Sequence, residues 1–155
     1  MSFKVQYNFK RVCISLTAAT VLVFANAAYA ADTPVSLKGA TTVDAAKARS
    51  LIDSGVMVID SRVANEYAES HIKGAVNVPY KEKSAKAVNF DASQDSFDLS
   101  KLPANKSTPI VIYCNGPECW KSYKASTEAI KAGHKSVYWF RLGMPEWKDK
   151  SYPTE

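Results

Sequence analysis

The sequence predicts an α/β fold with a largely parallel sheet. Three short runs, VMVID (56–60), PIVIY (109–113) and SVYWF (136–140), are almost wholly apolar and rich in β-branched or aromatic residues. Such runs are typical of strands that are buried on both faces. Segments with helical periodicity separate them. Strands that alternate with helices favour parallel pairing through right-handed crossovers.

The helices follow from capping residues and from apolar spacing. The segment AAKARSLIDSG has apolar residues on one face, and either Thr42 or Asp44 supplies its N-cap. Gly55 is expected to end this helix. A helix over 121–132 is expected to stop at Gly133 in the same way. Two shorter helices are predicted, over 64–70 and around 146–147.

The remaining segments are a short strand and a long polar stretch. GAVNVP (74–79) reads as a further strand. Residues 81–106 are polar and irregular, with one helical turn expected near Leu99. They are predicted to form a surface excursion, and both a partner-binding surface and a solvated loop fit its composition.

The first thirty residues have the pattern of a secretory signal peptide. Three basic residues precede an apolar stretch over 12–25, and Ala28-Tyr29-Ala30 fits the small-x-small cleavage rule. The apolar stretch is shorter than the roughly 20 residues that a membrane-spanning helix needs. We expect 1–30 to be removed and 31–155 to be a single exported domain, periplasmic or secreted, that does not span the membrane. A retained N-terminal anchor is the alternative.

Composition narrows the class of partner. Without residues 1–30 the chain keeps 17 Lys and Arg against 15 Asp and Glu, a formal charge of +2 instead of +5. The basic character therefore lies mostly in the leader, and no nucleic-acid partner is implied. The remaining 125 residues suffice for one domain with a core. We expect a monomer.

Cys114 and Cys119 are the chemically notable residues, because Cys13 lies in the predicted leader. Cys114 directly follows the PIVIY strand, and ligand sites of parallel sheets lie beyond the carboxyl ends of the strands. A cysteine in a loop that leads into a helix N-terminus has a lowered pKa, because the helix dipole stabilises the thiolate. From the residues alone Cys114 is a nucleophile, half of a disulfide, half of a redox pair or a buried small residue.

The run DSRVANEYAESHIKGAVNVPY (60–80) closely resembles the N-terminal signature of rhodanese domains. The matching residues are Asp60, Arg62, Glu66, Tyr67, His71, Ile72, Gly74, Ala75, Asn77, Val78 and Pro79. The cysteine loop follows at the spacing that the family requires. AGHKSVYWFRLGMPEW (132–147) resembles the last strand and turn of the family in part, since Leu142-Gly143-Met144 precedes Trp147 where two glycines are usual.

The resemblance implies a three-layer domain with a five-stranded, mainly parallel sheet flanked by helices. It implies that Cys114 accepts sulfane sulfur from a small anion such as thiosulfate and passes it, as a persulfide, to a thiol or another thiophilic acceptor. This sulfurtransferase chemistry needs no metal and no cofactor. The implied substrate-binding loop comprises Asn115, Gly116, Pro117, Glu118, Cys119, Trp120 and Lys121.

The signature residues are expected to be structural. Arg62 and Glu66, four residues apart, are predicted to form an ion pair that supports the loops. Asp60 belongs to the same signature. His71 is expected to pack and to form hydrogen bonds, without acting as a general base. The three tryptophans are expected in the core or at its rim.

The loop departs from the family pattern C-x-x-G-x-R. Cys119 stands where the anion-binding arginine is expected, and Lys121 replaces its charge imperfectly because it lacks a bidentate fork. Pro117 removes a backbone N–H, and Glu118 adds a negative charge. These changes indicate weak turnover of thiosulfate.

Cys119 also opens two alternatives. It can resolve a persulfide on Cys114, or the two cysteines can cycle as a thiol–disulfide redox pair. A rhodanese-fold binding module without turnover is the third function class.

Overall fold

Five parallel strands form one sheet, in the order β1-β5-β4-β2-β3. The computed structural model describes Met1 and residues 31–155. The strands are β1 (Ala40–Thr42), β2 (Met57–Asp60), β3 (Val76–Asn77), β4 (Ile110–Tyr113) and β5 (Val137–Phe140). The helices of this part of the chain are α1 (Ala45–Asp53), α2 (Ala64–Glu69), α3 (Trp120–Lys131) and α4 (Gly143–Asp149).

Helices cover both faces of the sheet, which confirms the predicted α/β class. All four residues of β4 are buried, and they alternate between two apolar clusters. Val111 and Tyr113 pack with residues of α1 and α4. Ile110 and Ile112 pack with residues of α3. Burial on both faces explains why the predicted strands are continuous apolar runs.

The sheet differs from its prediction at both edges. β1 lies at one edge and is three residues long, with two of them exposed, so it lacks the apolar pattern of a buried strand. The residues themselves did not predict it, although the resemblance implied five strands. β3, at the other edge, has two residues where a strand over 74–79 was expected. Edge strands are paired on one side only, and the signal in their sequence is correspondingly weak.

The ends of the long helices agree with the capping residues. Asp44 caps α1, because its side chain accepts a hydrogen bond from the Lys47 N–H at 2.8 Å. This result decides between Asp44 and Thr42. α3 begins directly after its N-cap, Cys119, and ends two residues before Gly133.

The 81–106 excursion is held by a buried polar network. The Lys124 ammonium of α3 is fully buried and lies 3.1 Å from a Glu82 oxygen and 3.6 Å from an Asp95 oxygen. Asp95 also accepts hydrogen bonds from Tyr80, Lys83 and Ser84. The excursion is therefore anchored to α3. A turn over Leu99–Lys101 confirms the one predicted there.

These contacts set the ionisation of Asp95. Burial acts to raise the pKa of its carboxyl, but the hydrogen bonds from Ser84 and Lys83 outweigh it and hold the pKa well below the usual range.

The predicted signal peptide, with Cys13, lies outside the described residues. Within 31–155, no helix is long and apolar enough to cross a membrane.

Candidate functional site

Cys114 is the first residue after β4, at the carboxyl edge of the sheet, and its sulfur is bonded to that of Cys119. The two Cα atoms are 6.3 Å apart, which suits a disulfide. Cys114 is fully buried, whereas Cys119 is half-buried. The structure therefore contains the disulfide, which is one of the roles that the sequence left open for Cys114 and Cys119.

The loop backbone packs closely against the turn before α4. The Cys114 carbonyl accepts a hydrogen bond from the Met144 N–H at 2.9 Å. Gly143 lies directly against the same carbonyl, and a Cβ atom at this position would overlap it. Gly143 also has a φ of 54°, in the left-handed region that favours glycine. The Gly143 turn therefore fixes the backbone of Cys114.

Two residues at the start of the described domain, Ala31 and Thr33, hold the outer side of the loop. The N–H and hydroxyl of Thr33 both donate to the Pro117 carbonyl at 2.8 Å. The Trp120 indole N–H donates to the Ala31 carbonyl at 2.8 Å. Arg141 donates to the Thr33 carbonyl at 2.7 Å. These contacts carry no signal in the sequence, because each joins residues 84 to 108 positions apart and no local pattern marks them.

Arg62 pairs with Asp60, so the predicted Arg62–Glu66 ion pair is wrong. Nε of Arg62 lies 3.0 and 3.1 Å from the two Asp60 oxygens, and Nη2 lies 2.6 Å from Oδ2. The prediction applied the i,i+4 rule of helices, but α2 begins only at Ala64 and Arg62 precedes it. The Tyr113 hydroxyl also donates to Asp60.

Charge and burial shift two pKa values in the cluster formed by Asp60, Arg62 and Tyr113. Burial acts to lower the pKa of Arg62, but the hydrogen bonds and charge of Asp60 outweigh it and raise that pKa. Burial, together with the negative charge of Asp60, raises the pKa of Tyr113 far above its usual range. Arg62 therefore stays a cation and Tyr113 a neutral donor.

Asn115 connects this ion pair to the cysteine loop. Its Oδ1 lies 3.4 Å from Nη1 of Arg62, and its amide nitrogen donates to Oε1 of Glu66. The other Glu66 oxygen lies 4.0 Å from Nζ of Lys121. Glu66 therefore contacts the loop on one side and partly neutralises Lys121 on the other.

A cleft of about 240 Å³ opens beside Cys119. It is lined by Glu82, Lys86, Asn115, Glu118, Cys119, Trp120 and Lys121. Five of these seven residues belong to the predicted substrate-binding loop. Glu82 and Lys86 come from the excursion and were not predicted, since a charged residue in a polar loop carries no signal of its own. The cleft thus combines two cations with two carboxylates.

Tyr67 and His71, two further signature residues, pack against each other. Nδ1 of His71 lies 2.9 Å from the Tyr67 carbonyl, and the two rings are stacked with centroids 3.7 Å apart. Its Nε2 faces Glu155 at 3.4 Å. His71 is thus engaged on both nitrogens and one ring face, as a packing residue would be. Trp120, Trp139 and Trp147 are all buried, as expected.

The arrangement can support sulfur chemistry in two redox states. With the disulfide formed, neither sulfur is a nucleophile. After reduction, two thiols flank the N-terminus of α3, where backbone N–H groups stabilise thiolates. Among residues 31–155, no group of three His, Cys, Asp or Glu side chains is placed to hold a metal ion.

One family model and several known proteins are similar to this chain. The model of the rhodanese-like domain matches residues 44–150. Thiosulfate sulfurtransferase 18 of Arabidopsis thaliana is 29% identical over 114 residues, which cover 72% of this chain and 81% of that protein. The chloroplastic thiosulfate sulfurtransferase 16 of the same plant is 26% identical over 115 residues, covering 74% and 92%.

Solved structures are also similar to this chain. A rhodanese-like domain from an Anabaena protein is 28% identical with a TM-score of 0.53, covering 74% of this chain and 77% of that one. Thiosulfate sulfurtransferase from Pseudomonas aeruginosa has a TM-score of 0.56 at 19% identity, over 75% of this chain and 20% of that one. At that identity the similarity concerns the fold alone.

Proposed function

The chain belongs to the rhodanese-like family, which includes sulfurtransferases, and we propose that it carries sulfane sulfur as a persulfide on Cys114. The donor is a small anion such as thiosulfate, and the acceptor is a thiol. The observation that carries this proposal is the position of Cys114, at the carboxyl end of β4 and a few residues before the N-terminus of α3.

The reaction is a double displacement. The Cys114 thiolate attacks the outer sulfur of thiosulfate, the sulfur–sulfur bond of the donor breaks, and sulfite leaves with the electron pair. The acceptor thiolate then attacks the outer sulfur of the persulfide and releases the Cys114 thiolate. Lys86 and Lys121 supply positive charge for an anionic donor, while Glu82 and Glu118 oppose it. We therefore expect slow transfer from thiosulfate.

A thiol–disulfide redox protein is the second candidate, and the Cys114–Cys119 disulfide favours it. In this function the two thiols lose two electrons and two protons to an oxidised partner and regain them from a reducing thiol. The disulfide also matters to the first function, because an external thiol must open it before Cys114 can accept sulfur.

Intact-protein mass spectrometry separates the candidates. The reduced protein is treated with thiosulfate, freed of excess reagent and weighed beside Cys114→Ser and Cys119→Ser. We expect Cys119→Ser to gain the mass of one sulfur atom and Cys114→Ser to gain nothing. A gain of sulfur by Cys114→Ser would refute the proposal. A loss of two hydrogens by the wild type, with no sulfur on Cys119→Ser, would favour the redox protein.

We also propose that the chain is exported to an oxidising compartment after cleavage behind Ala30. Such a compartment is where a two-cysteine disulfide persists. Fractionation of bacterial cells that express the full chain, with the mass of the recovered protein, tests this point. Recovery of full-length chain in the cytosolic fraction would contradict it.

A further inference from the structure

We propose that reducing thiols enter this site through Cys119, which forms the mixed disulfide, while Cys114 leaves as the buried thiolate. The proposal deepens the proposed function, because it assigns different tasks to the two sulfurs. Cys119 is the residue that exchanges with external thiols. Cys114 is the residue that receives sulfur once it has been released.

The two cysteines differ sharply in access. Cys114 is fully buried at the end of β4, with its carbonyl covered by Gly143 and Met144. Cys119 is half-buried and lines the open cleft of about 240 Å³, whereas Cys114 is not among the residues that line it. Attack on a disulfide depends on which sulfur can be reached. A thiolate that enters the cleft therefore meets Cys119.

The position of Cys119 at a helix N-terminus also favours attack of the incoming thiolate at Cys119. Cys119 is the N-cap of the 12-residue helix α3. Backbone N–H groups at a helix N-terminus attract anions, so they draw an incoming thiolate toward this end of the disulfide.

The charges of the cleft indicate the chemical class of the thiol. Lys86 and Lys121 lie on it with Glu82 and Glu118. Glu82 is already paired with Lys124, and Lys121 lies 4.0 Å from Glu66, so Lys86 and Glu118 are the opposite charges left to face a ligand. A thiol that carries both a carboxylate and an ammonium group complements them, whereas a purely anionic thiol meets Glu118. The cleft thus fits a small zwitterionic peptide thiol, for which glutathione is the probe.

The exchange balances with two thiols. The first thiolate attacks Sγ of Cys119, the Cys114–Cys119 bond breaks, and its electron pair leaves on Cys114. A second thiolate then attacks the sulfur of the thiol bound to Cys119, which forms a disulfide of the two reductant molecules and frees Cys119 as a thiolate. The reductant loses two electrons, and the protein disulfide gains them.

The wild-type protein supplies the first test. The oxidised protein is mixed with glutathione, quenched with acid at successive times, and its free thiols are blocked with N-ethylmaleimide. Cleavage after Glu118 separates the two cysteines for mass mapping, because Glu118 directly precedes Cys119. We expect glutathione on Cys119 and maleimide on Cys114. Glutathione on Cys114, or an even split, would overturn the proposal.

Single-cysteine variants supply a second test that needs no trapped intermediate. Cys114→Ser and Cys119→Ser are each treated with oxidised glutathione. We expect the adduct to form on Cys114→Ser about tenfold faster or more, because its remaining thiol is the accessible one. Equal rates, or a faster Cys119→Ser, would contradict it. Sulfur loading from thiosulfate is measured separately. If that loading fails, the proposed function is refuted, but these tests still show which cysteine reacts with external thiols.

Discussion

Arg62 binds the carboxylate of Asp60 through Nε and Nη2, and its Nη1 lies 3.4 Å from Oδ1 of Asn115 in the cysteine loop. A buried ion pair at the end of β2 thus contacts the residue that directly follows Cys114. Because removing a partner leaves a buried charge uncompensated, this pair is important for both stability and the loop.

Arg62→Lys is expected to destabilise the protein by about 2 kcal/mol, because lysine keeps the charge but cannot form the same set of bonds to Asp60. Urea unfolding measures the change. Arg49→Lys is the matched control, since Arg49 and Asp53 form an exposed pair, and it should cost less than about 0.5 kcal/mol. Equal losses in the two variants would show that the Arg62–Asp60 pair contributes no more to stability than an exposed ion pair does.

Gly143→Ala is expected to cost about 3 kcal/mol, because a Cβ atom would overlap the Cys114 carbonyl and the residue has a positive φ. Gly55→Ala is the control. Its φ is 89°, and among the described residues no heavy atom beyond Gly55 and its two chain neighbours lies within 4 Å of the added Cβ, so it should cost about 1 kcal/mol. Thermal unfolding of both variants measures the difference. A similar cost for both would mean that the turn can move away from Cys114.

Cys119→Arg restores the residue type expected in the family loop. We expect it to load Cys114 from thiosulfate about tenfold faster than Cys119→Ser, since a charge-assisted hydrogen bond to the anion is worth about 1.5 kcal/mol or more. The rate is followed by intact mass on reduced proteins. Cys119→Gln controls for side-chain size. If Cys119→Arg were no faster than Cys119→Gln, the missing arginine would not be what limits thiosulfate.

Asp95→Asn is expected to reduce the amount of stability that the protein loses as the pH is lowered. The pKa of Asp95 is lowered in the folded protein, so its contribution is complete above its unfolded pKa of about 4 and disappears as the pH falls further toward the folded value. Urea midpoints between about pH 6 and pH 3 measure this. Wild type should lose more stability over that range than Asp95→Asn, which is already less stable at neutral pH.

The exposed Asp149 provides the comparison for this series. Asp149→Asn should retain the acid dependence of the wild type. An unchanged slope in Asp95→Asn would show that the Asp95 network does not control acid stability.

The centre of the fold was predictable from the sequence, whereas of the two edge strands only β3 was predicted, and with too great a length. β2, β4 and β5 are nearly or wholly buried, so almost every residue in them is apolar and the pattern is unambiguous. β1 and β3 are edge strands of three and two residues. Their pairing depends on the neighbouring strand, which the local sequence does not describe.

The same division applies to the site. Cys114 and Cys119 were found because strand, loop and helix follow one another locally. The partner of Arg62 was assigned wrongly, because the start of α2 lies two residues later than the i,i+4 rule requires. Thr33 and Arg141 were missed because they reach the loop only through tertiary contacts.

The contacts of Ala31 and Thr33 have a consequence for the order of assembly during synthesis. A chain leaves the ribosome from its N-terminus, so these two residues emerge long before Pro117 and Trp120, their partners 84 and 89 positions away. The residues that cover the outer side of the cysteine loop are therefore already available when the loop itself leaves the ribosome. Cys114 and Cys119 thus emerge when Ala31 and Thr33 have already been made, and the Gly143 turn that fixes the Cys114 backbone is the contact that must wait for later residues.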